Sequence, residues 1–132
     1  MKIVADTNTF LATALNEPEK EAIISLTAGH ELVAPEVLHF EIGNALSAMV
    51  KRGRLSREEA LQAYDMAQKV PVELRGIDIR KALGIASQRK IYAYDAYFLE
   101  CAQAVHGPLL TLDGSLKKVA VTMGIKLLEV ER

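Results

Sequence analysis

Of the 132 residues only one is cysteine, Cys101, so no disulfide can form within the chain. A single thiol fits a reducing, cytoplasmic setting. Tryptophan is absent, and Phe and Tyr together make up only 5% of the chain. Apolar burial must therefore come mainly from aliphatic side chains. No apolar run approaches the length of a membrane span, and the opening MKIVAD lacks a signal-peptide core. Charge of one sign is also missing: the formal net charge is -1. That excludes a protein that grips nucleic acid by bulk charge alone. The local basic clusters Lys51/Arg52/Arg54, Arg89/Lys90 and Lys117/Lys118 read as solvated helix ends. Repeats, low-complexity stretches and linkers are absent as well.

What is present is half hydrophobic by the broad count, enough for one folded domain spanning residues 1–132. Short β-branched or leucine-rich runs alternate with helical patterns. Strands are expected at Lys2–Asp6, Glu31–Ala34, Pro71–Leu74, Leu109–Leu112 and Lys126–Val130. Helices are expected at Thr9–Leu15, Glu19–Ala28, Glu36–Arg52, from Ser56 to about Lys69, from Asp78 to about Lys90, at Asp95–His106 and at Gly114–Met123. Ser56 with Glu59 is a capping box, and Gly29 and Gly53 end helices. Strands separated by helices, without hairpin signals, predict an α/β fold with a mostly parallel sheet. In such sheets sites form beyond the carboxyl ends of the strands. Asp6 and Asp113 directly follow the first and fourth expected strands, so both fall on that rim.

Two further acids stand out on helical wheels. Glu41 falls within the apolar arc of Val37, Leu38, Ile42, Ala45, Leu46 and Met49. Asp95 falls within the arc of Phe98, Leu99, Cys101, Ala102 and Val105. Glu100 lies opposite that arc and reads as a solvated residue. Each acid has a bland alternative. Asp6 and Asp95 suit helix N-caps, Asp113 suits an Asp-Gly turn, and Glu41 suits a wet edge of the core. Taken together the four would crowd one rim. Two carboxylates about 4 Å apart repel by roughly 4 kcal/mol at an effective dielectric near 20, so protonation or a divalent cation has to relieve them. Oxygen ligands without His or Cys partners suit Mg²⁺ or Mn²⁺, and such a site can polarise a phosphodiester and activate water. Thr111 and Ser115 add hydroxyls beside Asp113. His30, His39 and His106 show no ligand spacing, and Cys101 reads as core. Tyr92, Tyr94 and Tyr97 could stack bases, but packing is the expected role.

Four segments carry a family resemblance: Ile3-Val4-Ala5-Asp6-Thr7-Asn8, Phe40-Glu41-Ile42-Gly43-Asn44-Ala45-Leu46, Tyr94-Asp95-Ala96-Tyr97-Phe98-Leu99 and Leu110-Thr111-Leu112-Asp113-Gly114-Ser115-Leu116. In order, spacing and total length the chain resembles PIN domains, specifically the VapC-type toxins of VapBC toxin–antitoxin pairs. The resemblance implies a PIN-like α/β/α sandwich and a magnesium-dependent endoribonuclease. It also implies a homodimer and inhibition by a small cognate antitoxin. It makes Asp6, Glu41, Asp95 and Asp113 the acidic quartet, with Thr7, Asn8 and Thr111 as polar supports. The near-neutral charge departs from what strong general RNA affinity would want. Competing readings are a PIN-like protein used only for binding, and a haloacid-dehalogenase-like phosphatase. The phosphatase would need a second acid where Asn8 stands. A receiver domain would need an acidic pair that Asp6-Thr7 does not supply. Phe40 and Val50, off the main arc of their helix, are available for a dimer contact.

Overall fold

A computed structural model describes residues 1–130. The chain order is β1 (Lys2–Ala5), α1 (Thr7–Ala14), α2 (Lys20–Thr27), β2 (Glu31–Pro35), α3 (Leu38–Lys51), α4 (Arg57–Gln68), β3 (Glu73–Arg75), α5 (Ile79–Arg89), α6 (Ala93–Val105), β4 (Leu109–Leu110), α7 (Gly114–Thr122) and β5 (Leu127–Leu128). The five strands form one sheet in the order β3-β2-β1-β4-β5, and every pairing is parallel. Each expected element is present, with ends displaced by a few residues. Four of the strands are shorter than expected, β2 runs one residue longer, and α6 begins two residues before Asp95.

β1 is the middle strand, and Ile3, Val4 and Ala5 are fully buried in it. Flanked on both edges and covered on both faces, it needs the continuous apolar run that KIVA supplies. α6 packs on β1 and β2, α5 packs on α6, and α1 to α4 form a second group of packed helices. The result is an α/β/α sandwich. Leu38, Ile42 and Leu46 are the buried stripe of α3, as the wheel requires. Gly53 (φ 73°) closes the turn after α3, a conformation that L side chains rarely adopt. Gly107 is required for another reason: a Cβ there would stand 2.3 Å from the Lys2 carbonyl oxygen.

Three expectations are corrected. Glu100 is buried, not solvated, at 5% exposure. Because α6 is covered by the sheet on one side and by α5 on another, the face opposite its apolar arc is also interior. The Glu100 carboxylate accepts a hydrogen bond from the Asp78 backbone N–H at 3.1 Å and so holds the start of α5. The second correction concerns the tyrosines. Tyr97 packs beside Ala82, Ala86 and Ala96, but Tyr92 and Tyr94 are exposed. Third, Asp95 caps no helix. The N-cap of α6 is Tyr92, and Asp95 lies within the first turn.

Candidate metal centre

The strand-end rule puts Asp6 and Asp113 on one rim, since β1 and β4 are parallel neighbours. α3 and α6 bring their first turns, carrying Glu41 and Asp95, to the same place. The four acids line one cleft of about 160 Å³ together with Thr7, Asn8, Asn44, Ala45 and Phe98.

Asp6 is the most buried of the four, at 5% exposure, and accepts from three donors. Its Oδ1 accepts from the Thr9 backbone N–H at 3.0 Å and from Thr9 Oγ1 at 2.9 Å; its Oδ2 accepts from Thr111 Oγ1. Thr9 Oγ1 is shared with the Leu110 carbonyl oxygen at 3.1 Å, which ties α1 to β4. The Asp113 N–H donates to Thr111 Oγ1 at 3.1 Å. That N–H occupies a lone pair of the hydroxyl and turns its proton towards Asp6. Thr111 thus joins two acids that are 107 residues apart in sequence. Asp113 Oδ1 accepts from Ser115 N–H at 2.9 Å, from Ser115 Oγ at 2.7 Å and from Leu116 N–H at 3.3 Å. Asp6 and Asp113 are therefore the N-caps of α1 and α7 as well as walls of the cleft. Glu41 Oε2 accepts from Thr7 Oγ1 at 3.3 Å, whereas Glu41 Oε1 is buried with no hydrogen-bond partner.

The electrostatics follow this geometry. Burial raises the Asp6 carboxyl; the Thr111 and Thr9 hydrogen bonds oppose it, and the charge of Asp113 adds to it. Burial pushes Glu41 up from its ordinary 4.5 to about 7, with the Thr7 hydrogen bond opposing and repulsion from Asp95 and Asp6 adding. Asp95 is raised by burial and then by Asp113 and Asp6. Asp113 alone is lowered, chiefly by the Ser115 hydroxyl. Three of the four acids are thus held against their ionised form, which is the condition a cation would relieve.

The donors fit a hard divalent ion. All are oxygens of carboxylate or amide, and the unpartnered Glu41 Oε1 lacks the positive neighbour its burial demands. Among the described residues no three of His, Cys, Asp or Glu stand together as a group that could by itself hold a metal ion. Magnesium does not require such a group, because it keeps several waters and takes only one or two carboxylates directly. Residue-level reading had placed the four acids, Thr7, Asn8, Thr111 and Ser115 here. It did not single out Thr9, Asn44 or Phe98. Asn44 could have been found one helical turn after Glu41.

The PIN-domain family pattern matches residues 3–122. This chain belongs to the PIN-domain family. The membership removes the phosphatase and receiver alternatives. Ribonuclease VapC3 of Pyrobaculum aerophilum is 26% identical over 121 residues, covering 88% of this chain and 92% of that protein. Three solved structures share the PIN fold. PAE2754 from Pyrobaculum aerophilum has a TM-score of 0.72 at 20% identity, covering 90% of this chain and 84% of its own. VapBC2 from Rickettsia felis, bound to a DNA fragment from its promoter, has a TM-score of 0.69 at 14% identity, covering 99% and 100%. FitAcB from Neisseria gonorrhoeae has a TM-score of 0.65 at 12% identity, covering 96% of each chain.

Proposed function

We propose that this PIN domain is a Mg²⁺- or Mn²⁺-dependent endoribonuclease and the toxin of a type II toxin–antitoxin pair. The observation that carries the nuclease reading is the acidic cleft itself. Four carboxylates from the β1–α1 junction, α3, α6 and the β4–α7 junction line it, and one of their oxygens is buried without a partner. Asp6, Glu41, Asp95 and Asp113 would hold the ion, which when bound supplies polarisation of the phosphodiester and a more acidic water. Thr111 and Thr9 fix the Asp6 carboxylate, and Ser115 fixes Asp113, so the ligand oxygens need little reordering. Phe98 makes one wall of the cleft apolar.

A partner reading rests on the cavity next to the cleft. Through Asn8 and Asp113 the cleft adjoins a second cavity lined by Leu11, Met49 and Leu112, with Glu17 and Glu19 on its margin. Apolar walls with an acidic margin suit a basic, apolar antitoxin tail, whose cationic side chain would compete with the metal for the quartet. The related toxin–antitoxin structures favour this reading, as does the relative's ribonuclease name. A homodimer is supported by Phe40, which stays 80% exposed; light scattering showing only monomer at tens of micromolar would refute it. A cytoplasmic site of action is proposed from the lone buried thiol; among the described residues no helix is long and apolar enough to cross a membrane.

The test is cleavage of single-stranded RNA in Mn²⁺. Wild-type protein should cut internally, EDTA should stop it, and Asp6→Ala and Asp95→Asn should each lose at least about a hundredfold in rate, the scale of losing a metal ligand's support. Cleavage unchanged in both variants would move the activity elsewhere. Metal binding without cleavage would favour a PIN domain used for binding alone.

A further inference from the structure

The cleft opens between margins of opposite character. Towards α1 and α2 it meets Glu17 and Glu19, which repel a polyanion. The corner between α5 and α6 offers a different surface. Lys90 ends α5 in a left-handed turn (φ 58°) and is exposed. Tyr92, the N-cap of α6, is 83% exposed, and Tyr94 is 53% exposed. Asp95 follows in the same turn, and residues three apart at a helix start have Cβ atoms about 5–6 Å apart. One edge of Tyr94 is steadied by Tyr97, with ring centroids 5.7 Å apart and planes at 88°. Neither Tyr92 nor Tyr94 contributes to the packed cores; the smaller one takes Tyr97 instead. Two large exposed rings thus precede the cleft-lining Asp95 by three residues and by one, and the exposed Lys90 precedes it by five.

We infer that this corner stacks unpaired bases of the RNA strand that enters the cleft, with Lys90 against a neighbouring phosphate. The inference rests on the nuclease reading. An aromatic face takes any base but only an unpaired one, because bases in a duplex are already stacked on each other. The substrate class is therefore single-stranded RNA with little sequence demand at this position.

Binding separates this inference from the nuclease reading. A short fluorescein-labelled single-stranded RNA is titrated in Ca²⁺, its integrity checked on a gel, and cleavage is measured in Mn²⁺ on the same proteins. Tyr92→Ala and Tyr94→Ala should each weaken binding about 5-fold or more, and the matching Phe variants should stay within about 2-fold of wild type. Lys90→Ala should lower the salt dependence of binding. A hairpin of paired RNA should not distinguish the tyrosine variants. Unchanged affinity in both alanine variants overturns the platform, and so does an equal loss in the phenylalanine variants. A wild-type protein that binds no RNA overturns it too. A changed mass of the alanine variants in light scattering would make the corner a protein interface instead. RNA held through the rings but never cut would sink the nuclease reading and leave the platform standing.

Discussion

Glu41→Gln should stabilise the metal-free protein above neutral pH and cost it the response to metal. In the wild type the buried Glu41 carboxylate has one oxygen without a partner and faces the charges of Asp95 and Asp6. Its carboxyl is raised from 4.5 to about 7. The sign follows from that rise. The folded state holds the proton more tightly than the unfolded chain, so the group's contribution is fully present below pH 4.5. It is lost as the pH rises through about 7. At about 1.36 kcal/mol per tenfold change the full effect is about 3 kcal/mol. Glu41 is only half-buried, and solvent screening leaves about 1–2 kcal/mol. Gln keeps the shape, accepts from Thr7 and can donate to a neighbouring carboxylate, without the charge. In EDTA at pH 8 the variant should melt about 3–8 °C above wild type, and near pH 5 the two curves should converge. The raised Asp6 and Asp95 are present in both proteins and largely cancel. With Mg²⁺ or Mn²⁺ at a hundred times its dissociation constant the wild type should gain about 2.7 kcal/mol. The variant should gain clearly less, reversing the order. Calorimetry or thermal melts across pH, with and without metal, decide it. A variant less stable than wild type at pH 8 in EDTA would refute the reasoning, as would a difference that does not shrink towards pH 5.

Thr111→Val should remove the donor to Asp6 and leave the Asp113 N–H without its acceptor. Metal affinity from titration calorimetry should fall about 10–100-fold, and an affinity equal to wild type would show that Thr111 does not orient the ligand. Glu100→Leu should cost about 1–3 kcal/mol in urea melts, because the Asp78 N–H loses its partner. Glu100→Gln keeps the acceptor and should stay within about 1 kcal/mol; equal losses in both would place the importance in the charge.

Much of the site was legible because its signals are local. Asp6 and Asp113 end apolar strands, and Glu41 interrupts an apolar helical arc; each can be seen in a window of a few residues. The parallel order of the sheet then brings them together. The misreading of Glu100 has a physical cause, that a helical wheel assumes a single covered face. α6 has two, so Glu100 was placed in water when α5 in fact closes over it. His39 likewise lies off the arc of α3, yet it is half-buried against the edge of Tyr64 on α4. Thr9 was invisible because its value depends on the Leu110 carbonyl, 101 residues away. The exposure of Tyr92 and Tyr94 was equally beyond sequence, since aromatic rings near a helix start give no sign of whether a neighbour covers them.

Placing the first strand in the centre of the sheet sets the order in which the molecule can come into being. β1 is made before its neighbour β4, which begins only at Leu109, and Asp113 and Ser115 follow that strand. A growing chain can pair β1 with β2, yet the other edge of β1 stays open until Leu109 and Leu110 have been made. Such distant pairings form late, because the intervening loop must be closed first. Any truncated product ending before β4 lacks Thr111 and Asp113 and leaves the Asp6 carboxylate without the hydroxyl that orients it. A copy that stops before β4 therefore carries at most three of the acids and no assembled cleft, and the complete cleft exists only once the chain has been made past Ser115.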